Sequence, residues 1–176
     1  MKQSDIMLMH PVIGKKFLKM TLQLQQLQIN TVVLKKKISE KIGEIQNWLI
    51  RFTGINVTTD ELKKLPVFNL DALRERANKI NALQAIIDKI GVEEKKAIAS
   101  LEEHLTYISS LTQVFNDSSI YLKENRNNMH LCRTKMDQLE TSLSEAFSSY
   151  KIINDIHQEH IKKLNEAIKI YSTLVE

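Results

Sequence analysis

Residues 17–38 read FLKMTLQLQQLQINTVVLKKKI, and their apolar spacing decides the fold class. Phe17, Met20, Leu24, Leu27, Thr31, Leu34 and Ile38 fall alternately three and four residues apart. An α-helix turns once every ~3.6 residues, so this interval places all of them on one face. After one extra four-residue step the pattern resumes at Ile42, Ile45, Leu49 and Phe52. That is a heptad seam with a single stutter, the pattern of helices that pack along their length with local unwinding. The spacing predicts a helix over residues 15–53, which at ~1.5 Å per residue is a rod of about 58 Å. Leu24, Leu27, Leu34, Ile38, Ile45, Leu49 and Phe52 are the expected seam for a partner helix. Gly43 costs about 1 kcal/mol relative to Ala inside a helix. It lies beside the stutter, where a close helix approach would account for it.

The rest of the chain repeats the same message. Only two prolines, Pro11 and Pro66, and four glycines, Gly14, Gly43, Gly54 and Gly91, occur in 176 residues. A sheet-containing fold needs many turns, and turns draw on these two residues. The last 85 residues, 92–176, contain neither. Gly54 is a natural helix stop. A short helix over 59–65 is expected after it, with Thr58 and Glu61 as a capping-box pair and Pro66 beyond. Leu70, Leu73, Ala77, Ile80, Leu83, Ile87 and Ile90, then Ile98, Leu101, Leu105, Ile108, Thr112 and Phe115, predict a helix over 70–115, bent or broken at Gly91.

An unbroken helix from 92 to 176 would reach about 128 Å, against a radius of gyration near ~16 Å for a compact domain of this size. A fold-back is therefore expected. The polar clusters 116–119 (Asn-Asp-Ser-Ser) and 125–128 (Asn-Arg-Asn-Asn) both suit a reversal. The first is preferred because the apolar pattern pauses there, so the last helix is expected over 119–175. Its inward residues would be Leu122, Met129, Cys132, Met136, Leu139, Leu143, Phe147, Tyr150, Ile153, Ile161, Leu164, Ile168 and Tyr171. The expected architecture is all-α: an elongated antiparallel helical bundle or coiled coil of three long helices plus a short connecting one. Residues 1–14 form an irregular leader before a single domain, 15–176.

Charge is uneven. Residues 1–53 hold nine Lys/Arg against three Asp/Glu, while the whole chain is only +4. Lys15, Lys16, Lys19, Lys35, Lys36, Lys37 and Lys41 form a basic face on the first helix, suited to an acidic protein, an anionic lipid surface or a microtubule, or to acidic residues of the same chain. Nucleic acid is disfavoured, because arginines are few and aromatics are not interleaved with the lysines. The leader residues Ile6–Met9, Val12 and Ile13, followed by Lys15 and Lys16, could touch a membrane or pack on the bundle.

Chemistry-bearing motifs are sparse. His157 and His160, flanking Glu159, share a helix face at i, i+3 and could meet one metal ion. The spacing is not that of a zinc-protease helix, and no third ligand is identifiable, so a polar pair near the seam of a solvated helix is the expected role. No histidine has a glutamate three residues before it, as a di-iron bundle requires. Cys132 lies on the apolar seam and reads as a buried structural thiol. His130, two residues away, points to a different side. One cysteine excludes an internal disulfide. No phosphate-cradling loop or nucleophile elbow occurs, so neither an enzyme nor a cofactor is expected.

The function these features support is a non-enzymatic coiled-coil subunit or scaffold of a larger hetero-oligomer, of cytoskeletal, kinetochore or tethering type, whose partners are other helical proteins. The alternative is a bacterial helical virulence protein: a pore-forming toxin component, secretion chaperone or translocator. No run approaches the ~20 apolar residues of a membrane span, and no secretory signal is evident. A cytoplasmic, intracellular site, including association with the cytoskeleton, is the expectation; signal-independent export is compatible with it.

Overall fold

The structure, a computed structural model, describes residues 6–62 and 70–175, with side chains over 6–52 and 74–174. Among the described residues there is no strand. Three long helices pack into a bundle-like all-α fold: α1 (Pro11–Leu62), α2 (Leu70–Glu124) and α3 (Met129–Val175). Chain contacts divide it into two compact units. Unit 1 holds Met1–Lys35 and Ser100–Asn154; unit 2 holds Lys36–Ala99 and Asp155–Glu176. Each helix thus supplies a segment to both.

The core of unit 1 is built from the heptad seam. Phe17, Met20, Leu24 and Leu27 of α1 meet Ile108, Leu111, Phe115 and Leu122 of α2 and Cys132, Met136, Leu139, Leu143 and Ala146 of α3. Phe17 stacks on Phe115 with ring centroids 5.8 Å apart. The core of unit 2 joins Ile45 and Phe52 of α1 to Ile80, Leu83, Ile87 and Ile90 of α2 and Leu164, Ala167 and Tyr171 of α3. Tyr171 lies 4.6 Å from Phe52 and 5.5 Å from Trp48, edge-on to the indole. Each such residue contributes roughly 1.5–3 kcal/mol by leaving water, which outweighs the local preferences that were expected to end the helices.

Three boundaries differ from the sequence expectation for that reason. The leader is not irregular to residue 14. The chain turns where the Met9 N–H donates to the Ile6 carbonyl at 3.1 Å, and α1 begins at Pro11. Proline suits a first helical turn, the His10 ring nitrogen accepts from the Val12 N–H at 3.2 Å, and Met9 and Ile13 are buried in unit 1. Gly14 lies inside the helix, where a Cβ would come 2.8 Å from the Ile6 carbonyl oxygen. Gly54 does not stop α1 either. The helix continues to Leu62, anchored just before by Trp48, Leu49 and Phe52 in the core. Residues 59–62 of the expected short helix therefore belong to α1, and 63–65, with Pro66, lie outside the described residues.

The reversal falls at 125–128, not 116–119. Ser119 donates to the Asn116 carbonyl at 2.7 Å and Gln113 to Asp117 at 3.0 Å, so the side chains of Asp117 and Ser119 are hydrogen-bonded within α2. Leu122, fully buried, draws the helix onward. Its end is then closed by the Asn128 N–H donating to the Asn125 carbonyl at 2.8 Å. Asn128 Oδ1 caps α3 by accepting from the Leu131 N–H at 3.2 Å. Gly91 neither ends nor breaks α2. It is buried against Ile45, whereas Gly43, expected at a close approach, has open space around it.

Candidate functional site

The expected partner seam is covered by the chain's own helices. Leu24, Leu27, Leu34, Ile38, Ile45 and Phe52 are all buried, and Leu49 is half-buried. Leu24 and Leu27 belong to the core of unit 1, and Ile45 and Phe52, with Leu49 against them, to that of unit 2, so their apolar surface is spent inside the molecule.

A second apolar row occupies the other side of α1. Leu18, Leu22, Ile29, Val32 and Val33 are 38–56% exposed. At roughly 100° per residue, they cluster nearly half a turn away from the buried seam. Leu18, Leu22, Ile29 and Val33 are spaced four, seven and four apart, and Gln25 fills the gap at a heptad position. The row therefore repeats, on the solvent side of unit 1, the same spacing that closes the core. It was overlooked because two seams are interleaved in one sequence, and the stronger reads first. Subtracting the first seam exposes the second.

The lysines bracket this row. Lys15 lies three residues before Leu18 and Lys36 three after Val33, both exposed. The rest of the basic face divides. Lys16 pairs with Glu140 at 3.2 Å, Lys35 with Glu102 at 3.4 Å and Lys41 with Glu44 at 2.9 Å, as expected for lysines that serve their own chain. Lys15, Lys19, Lys36 and Lys37 are exposed and make no ion pair among the described residues. No described helix is long and apolar enough to cross a membrane.

The histidine pair has a place other than the expected one. His157 and His160 are 1% and 5% exposed, not solvated, and they converge on Glu94, which has no exposure at all. His157 Nδ1 lies 2.7 Å from Glu94 Oε2, and His160 Nδ1 bonds Glu94 Oε1. The other ring nitrogen of His160 lies 2.7 Å from Glu93 Oε2. Glu159 is exposed and takes no part. Burying a carboxylate without such partners would cost several kcal/mol. The register of the helices makes the meeting. Along α3, buried or half-buried Met136, Leu143, Tyr150, His157, Leu164 and Tyr171 keep a seven-residue interval, as do Leu139, Ala146, Ile153, His160 and Ala167. Along α2, Ile80, Ile87, Glu94, Leu101, Ile108, Phe115 and Leu122 do the same. Carrying each apolar register through its polar members would have found the cluster. Leu111, Ala146 and Ala167 are fully inside; of the residues expected there, Ile168 is half-buried against the core of unit 2, Thr112 is half-buried and Phe147 is exposed.

The four side chains face one another at hydrogen-bonding separation, with nitrogen directly against oxygen. No group of three or more His, Cys, Asp or Glu among the described residues is arranged to hold a metal ion. Among the described residues, two titratable side chains, His104 and Cys132, are buried in unit 1. His104 occupies an α2 seam position, its Nε2 has no hydrogen-bond partner among the described residues, and burial pushes its pKa below the ordinary value. Cys132 is fully buried, its thiol lies 3.2 Å from the Asn125 carbonyl, and desolvation raises its pKa. A thiol held protonated is a poor nucleophile. No protein family, curated protein or solved structure matches this chain.

Proposed function

We propose that this protein is a non-enzymatic subunit of a hetero-oligomeric assembly, and that it binds through the outer face of α1 in unit 1. The observation that carries this reading is the row Leu18, Leu22, Ile29, Val32 and Val33, exposed at heptad spacing on a helix whose opposite face already closes the core. An apolar stripe left in water at coiled-coil spacing is suited to another helix. Lys15 and Lys36 in line with it, and Lys19 and Lys37 beside it, favour a partner helix with apolar residues at matching intervals and acidic residues at their flanks. Antiparallel coiled-coil packing within the chain is part of the same proposal. It is supported in unit 1 by the reversed order of the contacts Phe17–Phe115 and Lys35–Glu102.

The test compares the native protein with a Leu22→Asp, Ile29→Asp double variant. Affinity purification with mass spectrometry should recover a stoichiometric helical partner with the native chain and lose it with the variant. Circular dichroism should show equal helicity and melting for both. Recovery of the native chain alone, as a monomer by light scattering, would sink the proposal. So would dye release from vesicles by the purified chain, the behaviour of a pore-forming protein.

A further inference from the structure

Buried polar atoms in folded proteins are nearly always hydrogen-bonded. Among the described residues His104 of α2 breaks this rule: it is 6% exposed, and its Nε2 has no partner. Such an atom weakens the fold, and a leucine at the same seam position would not carry that cost. The residue therefore calls for a use outside the packing of the core.

His104 lines a groove of about 410 Å³ between α2 and α3, formed wholly within unit 1. Ser100, Glu103 and Tyr107 of α2 and Glu145, Ser149 and Ile153 of α3 complete the lining. It holds two carboxylates and neither lysine nor arginine. Other acids of these two helices are matched by α1, Glu102 by Lys35 and Glu140 by Lys16. Glu103 and Glu145 are exposed and make no ion pair among the described residues. Burial pushes the His104 pKa down, which keeps the ring neutral at physiological pH, and a neutral imidazole has one bare nitrogen that accepts. The groove thus offers three accepting groups and no cation to hold an anion.

We propose that this groove binds a primary ammonium group on a short alkyl stem, with Glu103, Glu145 and His104 as its acceptors. An ammonium carries three N–H donors and no acceptor, one donor for each group. A metal ion is a poorer match, since no cluster of His, Cys, Asp or Glu among the described residues is arranged to hold one. Tyr107, 41% exposed, and half-buried Ile153 give the stem an apolar wall, and an aromatic face also attracts an alkylammonium. His104 Nε2 lies just beneath the groove surface, and the soft terminal torsion of histidine lets the ring turn to present it. Free amines and lysine side chains of another protein share this chemistry. The site uses α2 and α3 and does not rest on the outer row of α1.

The probe is n-butylammonium chloride, titrated into ¹⁵N-labelled protein near neutral pH and followed by NMR, with butan-1-ol and tetramethylammonium chloride as controls. Saturable shifts should centre on Ser100, His104, Tyr107 and Ser149 and include a His104 ring nitrogen. Neither control should reproduce them, because butanol lacks the charge and tetramethylammonium lacks N–H donors. Glu103→Gln and Glu145→Gln should each weaken binding about two- to fivefold, and His104→Leu about tenfold or more. The two glutamine variants sit at exposed positions, so they keep the test valid if His104→Leu disturbs the fold by circular dichroism. Equal shifts with tetramethylammonium would overturn the proposal, as would shifts that follow ionic strength without saturating. Unchanged affinity in all the variants would overturn it too. The sources part in protein purified from cells. Loss of a recovered partner on His104→Leu, with Leu22 and Ile29 intact, assigns the ammonium to a partner lysine. A small amine released on denaturing the native protein, and absent from the variant, assigns it to a free ligand.

Discussion

Gly91 of α2 packs directly on Ile45 of α1, so closely that a Cβ at residue 91 would lie 3.0 Å from the Ile45 Cγ2 methyl. Ile45 is 1% exposed and β-branched, so it has little freedom to yield. Gly43, two residues earlier on α1, has nothing within 4 Å of the same added atom. Two glycines in helices should therefore respond oppositely to alanine. Gly43→Ala should raise unfolding stability by about 1 kcal/mol through helix propensity. Gly91→Ala should lower it by about 1 kcal/mol, overpacking outweighing the same propensity gain. Urea unfolding of both variants decides it; equal shifts would mean that the α1–α2 contact does not constrain residue 91.

The two faces of α1 should also behave differently. Leu27 and Leu34 are buried in the bundle, and an aspartate at either site would be an unpaired buried charge. Leu27→Asp with Leu34→Asp should cost more than about 4 kcal/mol and leave a poorly folded chain by circular dichroism. The same substitutions at Leu22 and Ile29, which are 54% and 56% exposed, should shift stability by about 0.5 kcal/mol or less. A folded Leu27→Asp, Leu34→Asp protein would contradict the assignment of this seam to the core.

The turn at 125–128 depends on Asn128, whose side chain accepts from the Leu131 N–H at the start of α3. Asn128→Ala should destabilise the protein by about 1 kcal/mol, the usual cost of losing a helix cap. Asn116→Ala, inside α2 and exposed, should cost little or gain slightly. Reversed ranks in thermal or urea unfolding would relocate the chain reversal.

His104 predicts a loss of stability on the acid side. Burial lowers its pKa below the ordinary histidine value of 6.5. Above that value the ring is neutral in both states and nothing is lost. As pH falls below it, the unfolded chain takes up a proton that the folded protein resists, so stability declines until the folded-state pKa is passed. His104→Leu should flatten this part of the profile. Because it removes a buried nitrogen without a described partner, it should also add about 1 kcal/mol at neutral pH. An unchanged acid limb in pH-dependent unfolding would show that His104 is not its source.

What could be read directly from residues is uneven in a physically sensible way. The seam positions Phe17 to Ile38 are buried as expected, because strong apolar periodicity leaves a helix only one way to hide its surface. Helix ends were legible only where local chemistry and packing agree. Gly54 and the Asn116–Ser119 cluster carry stop signals worth about 1 kcal/mol each, and core residues nearby, Phe52 and Leu122, outweigh them. The buried Glu94–His157–His160 group was hidden for a related reason. Polar residues at seam positions look like interruptions of an apolar pattern until the partner residue, 63 and 66 positions away in sequence, is placed opposite.

By itself, then, the sequence determined that this chain is all-α and which face of α1 is most strongly apolar, since both follow from spacing within a single helix. Tertiary structure decided which apolar row is consumed and which stays in water, because two rows on one helix compete for the same neighbours. It also decided where the chain reverses and which charges share the interior. Those outcomes depend on residues far apart in the chain, whose burial energies add only once the helices have met.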